Sequence, residues 1–381
     1  MKEEVFGPYT ANPHEKISYK GNRVFNPVDD VREQPLPIQE LEMRVDDLVR
    51  NPMWSRIARI DHRINIATNQ YFDGIGALFV PLPMTTRMIS SPGAVYGRKA
   101  LNYTTDTVPL KLKWFDLEKP AFLAESSQIY LELALLQDDV DHVYSIYNSF
   151  RQEHADMTHL SEFHHIEYEG KVSQEENLRT IVGLLKKIIG DLVDRNEDDL
   201  RFFLNRDEIT FLEEMSKMGS IPTITFRQAL DSLYNATGDP KYKEFTLKEF
   251  GSWEEIKVTE LHGGLTGISE FPLLEVPFYH APVLGKDPSV AENTDIIFPS
   301  YREVIGSGHR VRSSKELEEK AVIFNLPRKD YEPYLQSRRY PKYKETSGFG
   351  LGWERLLQGV LKMPFIWNAT QFPRIHTTLL P

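Results

Sequence analysis

Between Leu36 and about Gly74 the apolar residues, among them Leu41, Leu48, Ile57, Ile60 and Ile64, recur at the three- and four-residue spacing of helices. The following run Gly76-Ala77-Leu78-Phe79-Val80 turns into a strand, which Pro81 and Pro83 end or bend. Further short strands are predicted at 108–114, 121–124 and 142–150, with a helix over about 127–136 between the last two. Ser173 and Glu176 form a capping box ahead of Leu178, Ile181, Leu185, Ile188 and Leu192, which predicts a long amphipathic helix. Residues 205–260 read as helices and loops inserted between strands, and 271–280, 295–298 and 302–305 return to strand character. A glycine-rich strand and a helix close the chain. Residues 1–36, with scattered Pro, Gly and charge, read as an extended arm.

Composition narrows the chemistry. The 381 residues, 40% of them hydrophobic, can bury a sizeable core, and no stretch approaches the roughly 18 apolar residues of a membrane span. With no signal peptide in Met1–Thr10, a cytoplasmic location without a membrane partner is expected. The absence of cysteine excludes disulfides, thiolate nucleophiles and thiolate zinc sites, so catalysis must rest on carboxylates, His, Arg, Lys and hydroxyls. A formal net charge of −11 argues against broad binding to a phosphate backbone, and DNA is not an expected partner.

Three constellations carry chemistry. Residues 150–169 read as strand, polar loop, strand, and a period of two puts Arg151 and Glu153 on one face and Phe163, His165, Glu167 and Glu169 on one face of the return strand. An Arg, an aromatic ring and acids on one hairpin surface could neutralise a phosphate, stack a base and hold an ammonium group; a solvated hairpin with cross-strand ion pairs has the same pattern. In the second, Gly348, Gly350 and Gly352 leave one strand face without side chains, against which a flat ligand could lie. Their G-x-G-x-G spacing is neither a dinucleotide turn nor a P-loop. In the third, Asp295 and Glu303 bracket a short strand pair and are candidate oxygen ligands for Mg²⁺. His154, His159, His164 and His165 alternate over two faces of the hairpin, so a zinc site is not expected there.

In this order the pieces resemble the class II aminoacyl-tRNA synthetases. Phe150-Arg151-Gln152-Glu153 with His159-Leu160-x-Glu162-Phe163 is similar to motif 2 of that class, Gly348-x-Gly350-x-Gly352-x-Glu354-Arg355 to motif 3, and residues 56–83 to motif 1. Phe122-Leu123-Ala124-Glu125-Ser126-Ser127-Gln128-Ile129-Tyr130-Leu131-Glu132 resembles the F-L-x-x-S-S-Q-L-Y-L-E of the asparaginyl branch. Residues 303–310, EVIGSGHR, resemble its G-E-I-[IV]-G-G-S-x-R. The likeness spans about residues 40–381. It implies an α+β fold with an antiparallel six- or seven-stranded sheet flanked by helices, a dimer formed through motif 1, a catalytic domain over 41–381 with a helical insertion at about 200–265, and an N-terminal arm over 1–40.

Carried over position by position, the resemblance implies ATP and Mg²⁺ as cofactors. Arg151 would contact the α-phosphate and the substrate carboxylate, and Glu153 the adenine amino group. Phe163 and Arg355 would sandwich the adenine, His159 and Arg355 would lie near the γ-phosphate, and Asp295 and Glu303 would hold Mg²⁺. Gln128 and Glu167 would hold the substrate's α-amino group and Arg310 its side chain. Glu132 would accept from a side-chain amide, which favours an Asn-like amino acid over Asp. Some positions depart from the pattern: the motif 2 loop is one residue short, Thr158 replaces an Arg, Thr346 a His, Trp367 an Arg, and His309 stands where Gln or Met is usual.

The expected reaction is ATP-dependent activation of Asn, Asp or a close analogue to an aminoacyl adenylate. Residues 1–36 are too few for the five-stranded OB-fold with which asparaginyl and aspartyl enzymes read an anticodon. With the short loop, this favours a stand-alone amide-forming enzyme that passes the activated acyl group to ammonia or another amine. Aminoacylation of tRNA is disfavoured but open, as is an inactive binding or regulatory paralogue.

Overall fold

A computed structural model describes residues 38–92, 109–113, 116–152, 158–248, 250–286, 289–376 and 379–380, and the backbone of four short strands between Glu4 and Phe25. Its centre is one eight-stranded sheet. The strands are β1 (Leu78–Phe79), β2 (His142–Phe150), β3 (Glu162–Gly170), β4 (Thr223–Thr225), β5 (Thr266–Ser269), β6 (Asn293–Ile297), β7 (Glu303–His309) and β8 (Ser347–Gly352). Their spatial order is β4-β5-β6-β7-β8-β3-β2-β1. The six inner strands pair antiparallel, as the resemblance implies, but each edge adds a parallel strand, β1 on β2 and β4 on β5. The count is therefore eight rather than six or seven.

Two long helices cover one face of this sheet. Helix α1 (Pro52–Gly74) starts where Asn51 accepts from the Met53 amide, with Pro52 in the first turn where its missing N–H costs nothing. A helix at Gln128–Ala134 is α2, and α3 (Gln174–Arg195) begins in the expected capping box, Ser173 and Glu176 exchanging hydrogen bonds. Ile57, Ile60 and Ile64 of α1 and Ile181, Leu185 and Ile188 of α3 are buried with Ile166 and Tyr168 of β3 and Phe349 and Leu351 of β8. Because strand side chains alternate, this packing turns His165, Glu167 and Glu169 of β3, and the three glycines of β8, to the opposite face.

The segment 200–265 adds helices at Arg206–Met215, Phe226–Thr237 and Ser252–His262, the last two being α4 and α5. A ring cluster of Phe226, Phe245, Phe250 and Phe271 holds α4 and the approach to α5 against the sheet. Helices α6 (Ser314–Ile323) and α7 (Arg328–Leu335) pack on a third core around Phe278, Phe324, Tyr331 and Tyr334.

Two expectations fail. Residues 271–280 form turns with isolated bridges at Pro272 and His280 instead of a strand, since Pro272 and Pro277 remove ladder donors. Where an extended arm was expected, the backbone of Glu4–Phe6, Tyr9–Ala11, Ile17–Tyr19 and Asn22–Phe25 forms four short strands paired antiparallel in sequence order. Among the described residues no helix is long and apolar enough to cross a membrane.

Candidate active site

The face turned away from α1 and α3 is the floor of a cavity of about 490 Å³. Two cross-strand rows make that floor: Asp295, Gly306, Gly350 and Glu167 in one, and Asn293, Gly308, Gly348 and Glu169 in the next. The glycines create room for the acids. A Cβ on Gly348 would collide with the Glu169 carboxylate and the Tyr168 carbonyl, and a Cβ on Gly306 would stand 2.8 Å from Glu303 Oε1 and 3.8 Å from Asp295 Oδ1. The sequence placed these residues on shared faces; the register brings the faces of four different strands together.

One end of the cavity is lined by Gln128, Glu167 and Arg310. Glu167 accepts from Ser126 Oγ at 2.6 Å and from the Tyr147 hydroxyl, and burial pushes its carboxyl up to about 7. Gln128, at the start of α2, donates to the Tyr168 carbonyl at 2.8 Å and to Glu169. Arg310 is fully enclosed and donates through Nε and Nη2 to Glu169 at 3.0 and 2.9 Å. Burial opposes its charge, but the Glu169 carboxylate outweighs burial and holds the guanidinium protonated.

Glu132 does not join them. Tyr334 donates to one of its oxygens at 2.7 Å and Arg338 to the other, and it is not among the residues lining the cavity. Its placement on α2, one turn beyond Gln128, points it toward α7 and the turn that follows. Both of its oxygens are thus engaged by Tyr334 and Arg338, where the expectation had it reading the substrate's amide, and its charge acts on Arg310 and Glu169 from outside the cavity lining.

The other end gathers the phosphate-binding candidates. The Arg151 guanidinium lies 5.1 Å from the centre of the Phe163 ring, and both line the cavity. His159 sits with its Nε2 3.1 Å from Arg302 Nη1, and Arg355 donates to the backbone carbonyls of Glu303 and Thr158 at 3.0 and 3.3 Å. Glu153 lies outside the described residues. The bulge that shifts the β6–β7 register between Ile296 and Ile297 leaves Asp295 and Glu303 flanking one space above Gly306. Burial, then repulsion from Glu303 and Glu255, raises the Asp295 carboxyl well above the ordinary range; burial likewise raises Glu303, against the pull of Arg355. Two hard oxygen donors that repel each other fit a divalent cation such as Mg²⁺, which keeps waters and substrate phosphates as its other ligands. Among the described residues no group of three or more His, Asp and Glu side chains forms a closed metal cage.

Sequence reasoning missed Glu255, Glu125 and His280. Glu255 comes from α5, inside the helical insertion, and takes a two-pronged bond from Arg302, 3.1 Å on each side, with a third from the Glu303 amide at 2.9 Å. Burial opposes its charge, but Arg302 outweighs burial and holds it below the usual carboxylate range. Glu125 accepts from Ser90 and from the Ser91 amide, beside Arg151, and burial pushes it up to about 7. The Ser-Ser-Gln stretch adjoining Glu125 was a usable signal; nothing local marked Glu255.

The arrangement thus offers cations and paired acids at one end and an ammonium- and side-chain-binding cluster at the other. The family model of tRNA synthetases class II (D, K and N) matches residues 38–376. An asparagine–tRNA ligase of Thermococcus gammatolerans is 30% identical over 349 residues, covering 87% of this chain and 72% of that protein. The asparagine–tRNA ligase of Thermus thermophilus is 29% identical, covering 91% and 77%. The asparaginyl-tRNA synthetase of Pyrococcus horikoshii, solved with asparaginyl-adenylate, superposes with a TM-score of 0.78 at 28% identity, over 96% of this chain and 79% of that one. This chain belongs to the class II tRNA synthetases of the D, K and N group and is an ATP-dependent ligase.

Proposed function

We propose that this chain activates asparagine or a close analogue with ATP to an aminoacyl adenylate and transfers the acyl group to tRNA. The observation that carries this reading is the convergence of Arg151, Arg355, Asp295 and Glu303 with Gln128, Glu167 and Arg310 on one glycine-floored cavity. The asparaginyl-adenylate held by the Pyrococcus horikoshii protein supports it.

In the first step a substrate carboxylate oxygen attacks the α-phosphorus of ATP; the bond from that phosphorus to the bridging oxygen breaks, and pyrophosphate leaves. Arg151 offsets the charge that gathers on the α-phosphoryl oxygens, and Phe163 stacks on the base. Glu167, when ionised, and Gln128 hold the α-ammonium group so that the carboxylate meets the phosphorus in line. Asp295 and Glu303 would hold Mg²⁺, whose charge screens the phosphate oxygens. In the second step a terminal ribose hydroxyl of tRNA attacks the acyl carbon and AMP departs.

The asparagine–tRNA ligases among the relatives favour tRNA over ammonia or an amine as acceptor, against the expectation drawn from the short N-terminal segment together with the short motif 2 loop. A homodimer through the β1 edge is part of the proposal, supported by Leu78 and Phe79, which are 51% and 53% exposed there. Light scattering on the purified protein tests it.

The reaction is tested by amino-acid-dependent ATP–pyrophosphate exchange, with Arg151→Ala as control, followed by tRNA, ammonium and amines as acceptors. Exchange with asparagine and charging of tRNA are expected. Amide formation without charging would instead establish the amide-forming enzyme, and no AMP with any acceptor would leave a binding paralogue.

A further inference from the structure

His280 and Arg310 oppose each other as an isolated antiparallel bridge, which sets their side chains next to one another on the cavity side, and both line the cavity. The histidine ring rests on Gly308, where a Cβ would collide with Nδ1 and Cε1. In the pattern that residues 303–310 resemble, position 308 is serine; the order Ser307-Gly308 opens the space that the ring fills. The backbone around the ring is pinned. His280 N donates to the Pro277 carbonyl at 3.1 Å, the His280 carbonyl accepts from Lys320, and Val311 N donates to the Tyr279 carbonyl at 2.8 Å.

His280 Nδ1 is enclosed and has no hydrogen-bond partner among the described residues. Burial, then the charges of Arg310, Lys320 and His309, push the imidazole well below its ordinary range, so it is neutral and keeps one ring nitrogen as an acceptor. Arg310 spends Nε and Nη2 on Glu169 and retains Nη1. The nearby guanidinium groups are paired, Arg310 with Glu169 and Arg338 with Glu132, while Lys320, whose amine burial lowers to about 8, donates to the His280 carbonyl. A charged substrate side chain would be an uncompensated buried charge here, whereas a neutral group with one acceptor and one donor would not.

We propose that His280 and Arg310 together read a side-chain carboxamide, Arg310 Nη1 donating to its oxygen and the imidazole, turned about its Cβ–Cγ bond so that its acceptor nitrogen leaves the Gly308 face, accepting from its nitrogen, without Glu132. This inference rests on the adenylate-forming reading of the cavity and names the residue that selects the carboxamide.

The test is calorimetric binding of two stable adenylate mimics, asparaginyl- and aspartyl-sulfamoyl adenosine, to the full chain, which needs no turnover. The wild type is expected to prefer the asparaginyl mimic. His280→Leu should weaken that mimic about 10- to 100-fold, as expected when a buried polar partner is lost, with ATP affinity unchanged. His280→Gln, which restores an acceptor, should recover most of the loss. An unaltered preference in His280→Leu, a wild-type preference for the aspartyl mimic, or binding of neither mimic would overturn the proposal. Preferential binding with no pyrophosphate exchange would reject the reaction while leaving the role of His280 standing.

Discussion

Arg338 closes Glu132 off from the cavity: their side chains are 1% and 3% exposed, the guanidinium donates to one carboxylate oxygen, and Tyr334 bonds the other. A buried charge pair of this kind costs little when intact and much when halved. Arg338→Met should therefore destabilise the fold by about 3–5 kcal/mol in denaturant unfolding, while the Arg338→Met, Glu132→Met double variant should regain a large part. Equal losses in single and double variants would contradict the pairing.

Arg151 lies beside Phe163, and its guanidinium is the group assigned to the α-phosphate. Arg151→Ala should lower pyrophosphate exchange by about 10²–10³-fold, the range for removal of one preorganised charge donor. Far-UV circular dichroism and the melting temperature should change little, because the residue sits at the cavity and not in the core.

Asp61, which lies in α1 and accepts from Trp353 Nε1 at 2.8 Å, is pushed by burial up to about 7, as are Glu125 and Glu167. In the unfolded chain they ionise in the ordinary carboxylate range, so between about pH 4 and 7 the folded protein holds more protons on them. Their contribution to stability therefore falls as pH rises through that window and is level above it. The melting temperature of Asp61→Asn, Glu125→Gln, Glu167→Gln should decline less steeply with rising pH than that of the wild type; parallel slopes would refute the shifts. Glu167 must also ionise to hold an ammonium group, so the KM for the amino acid should fall as pH rises through about 7.

Asp295 and Glu303 repel each other across the space above Gly306. A divalent cation there should displace protons, and Asp295→Asn should lose it. Manganese titration followed by electron paramagnetic resonance in the presence of ATP reads this without turnover: the expected result is weaker binding in Asp295→Asn, and unchanged binding would place the cation on the phosphates alone.

Gly348→Ala sets a Cβ against the Glu169 carboxylate and the Tyr168 backbone. Since backbone cannot yield as a flexible side chain does, a loss of about 3 kcal/mol is expected in denaturant unfolding.

Much of this was legible one strand or helix at a time. The 142–150 strand, the capped helix from Ser173 and the bare face of Gly348, Gly350 and Gly352 depend on alternation, local capping and missing side chains, all of which are short-range. The misreadings are long-range. Glu132 belongs on a helix face in any reading, but which partner takes it depends on Arg338, 206 residues away.

The same division runs through the whole protein. Residue order alone determined the hairpin of Arg151 and Glu167, the glycine strand, the acids at 295 and 303, and the family they resemble, because strand period and motif spacing act over a few residues. Tertiary structure decided that the sheet has eight strands, that Glu255 braces Arg302 and Glu303, that Glu132 is spent on Arg338, and that His280 fills the space over Gly308. Those outcomes depend on which distant groups meet once the core closes, and on burial, which sets the charge each of them can carry.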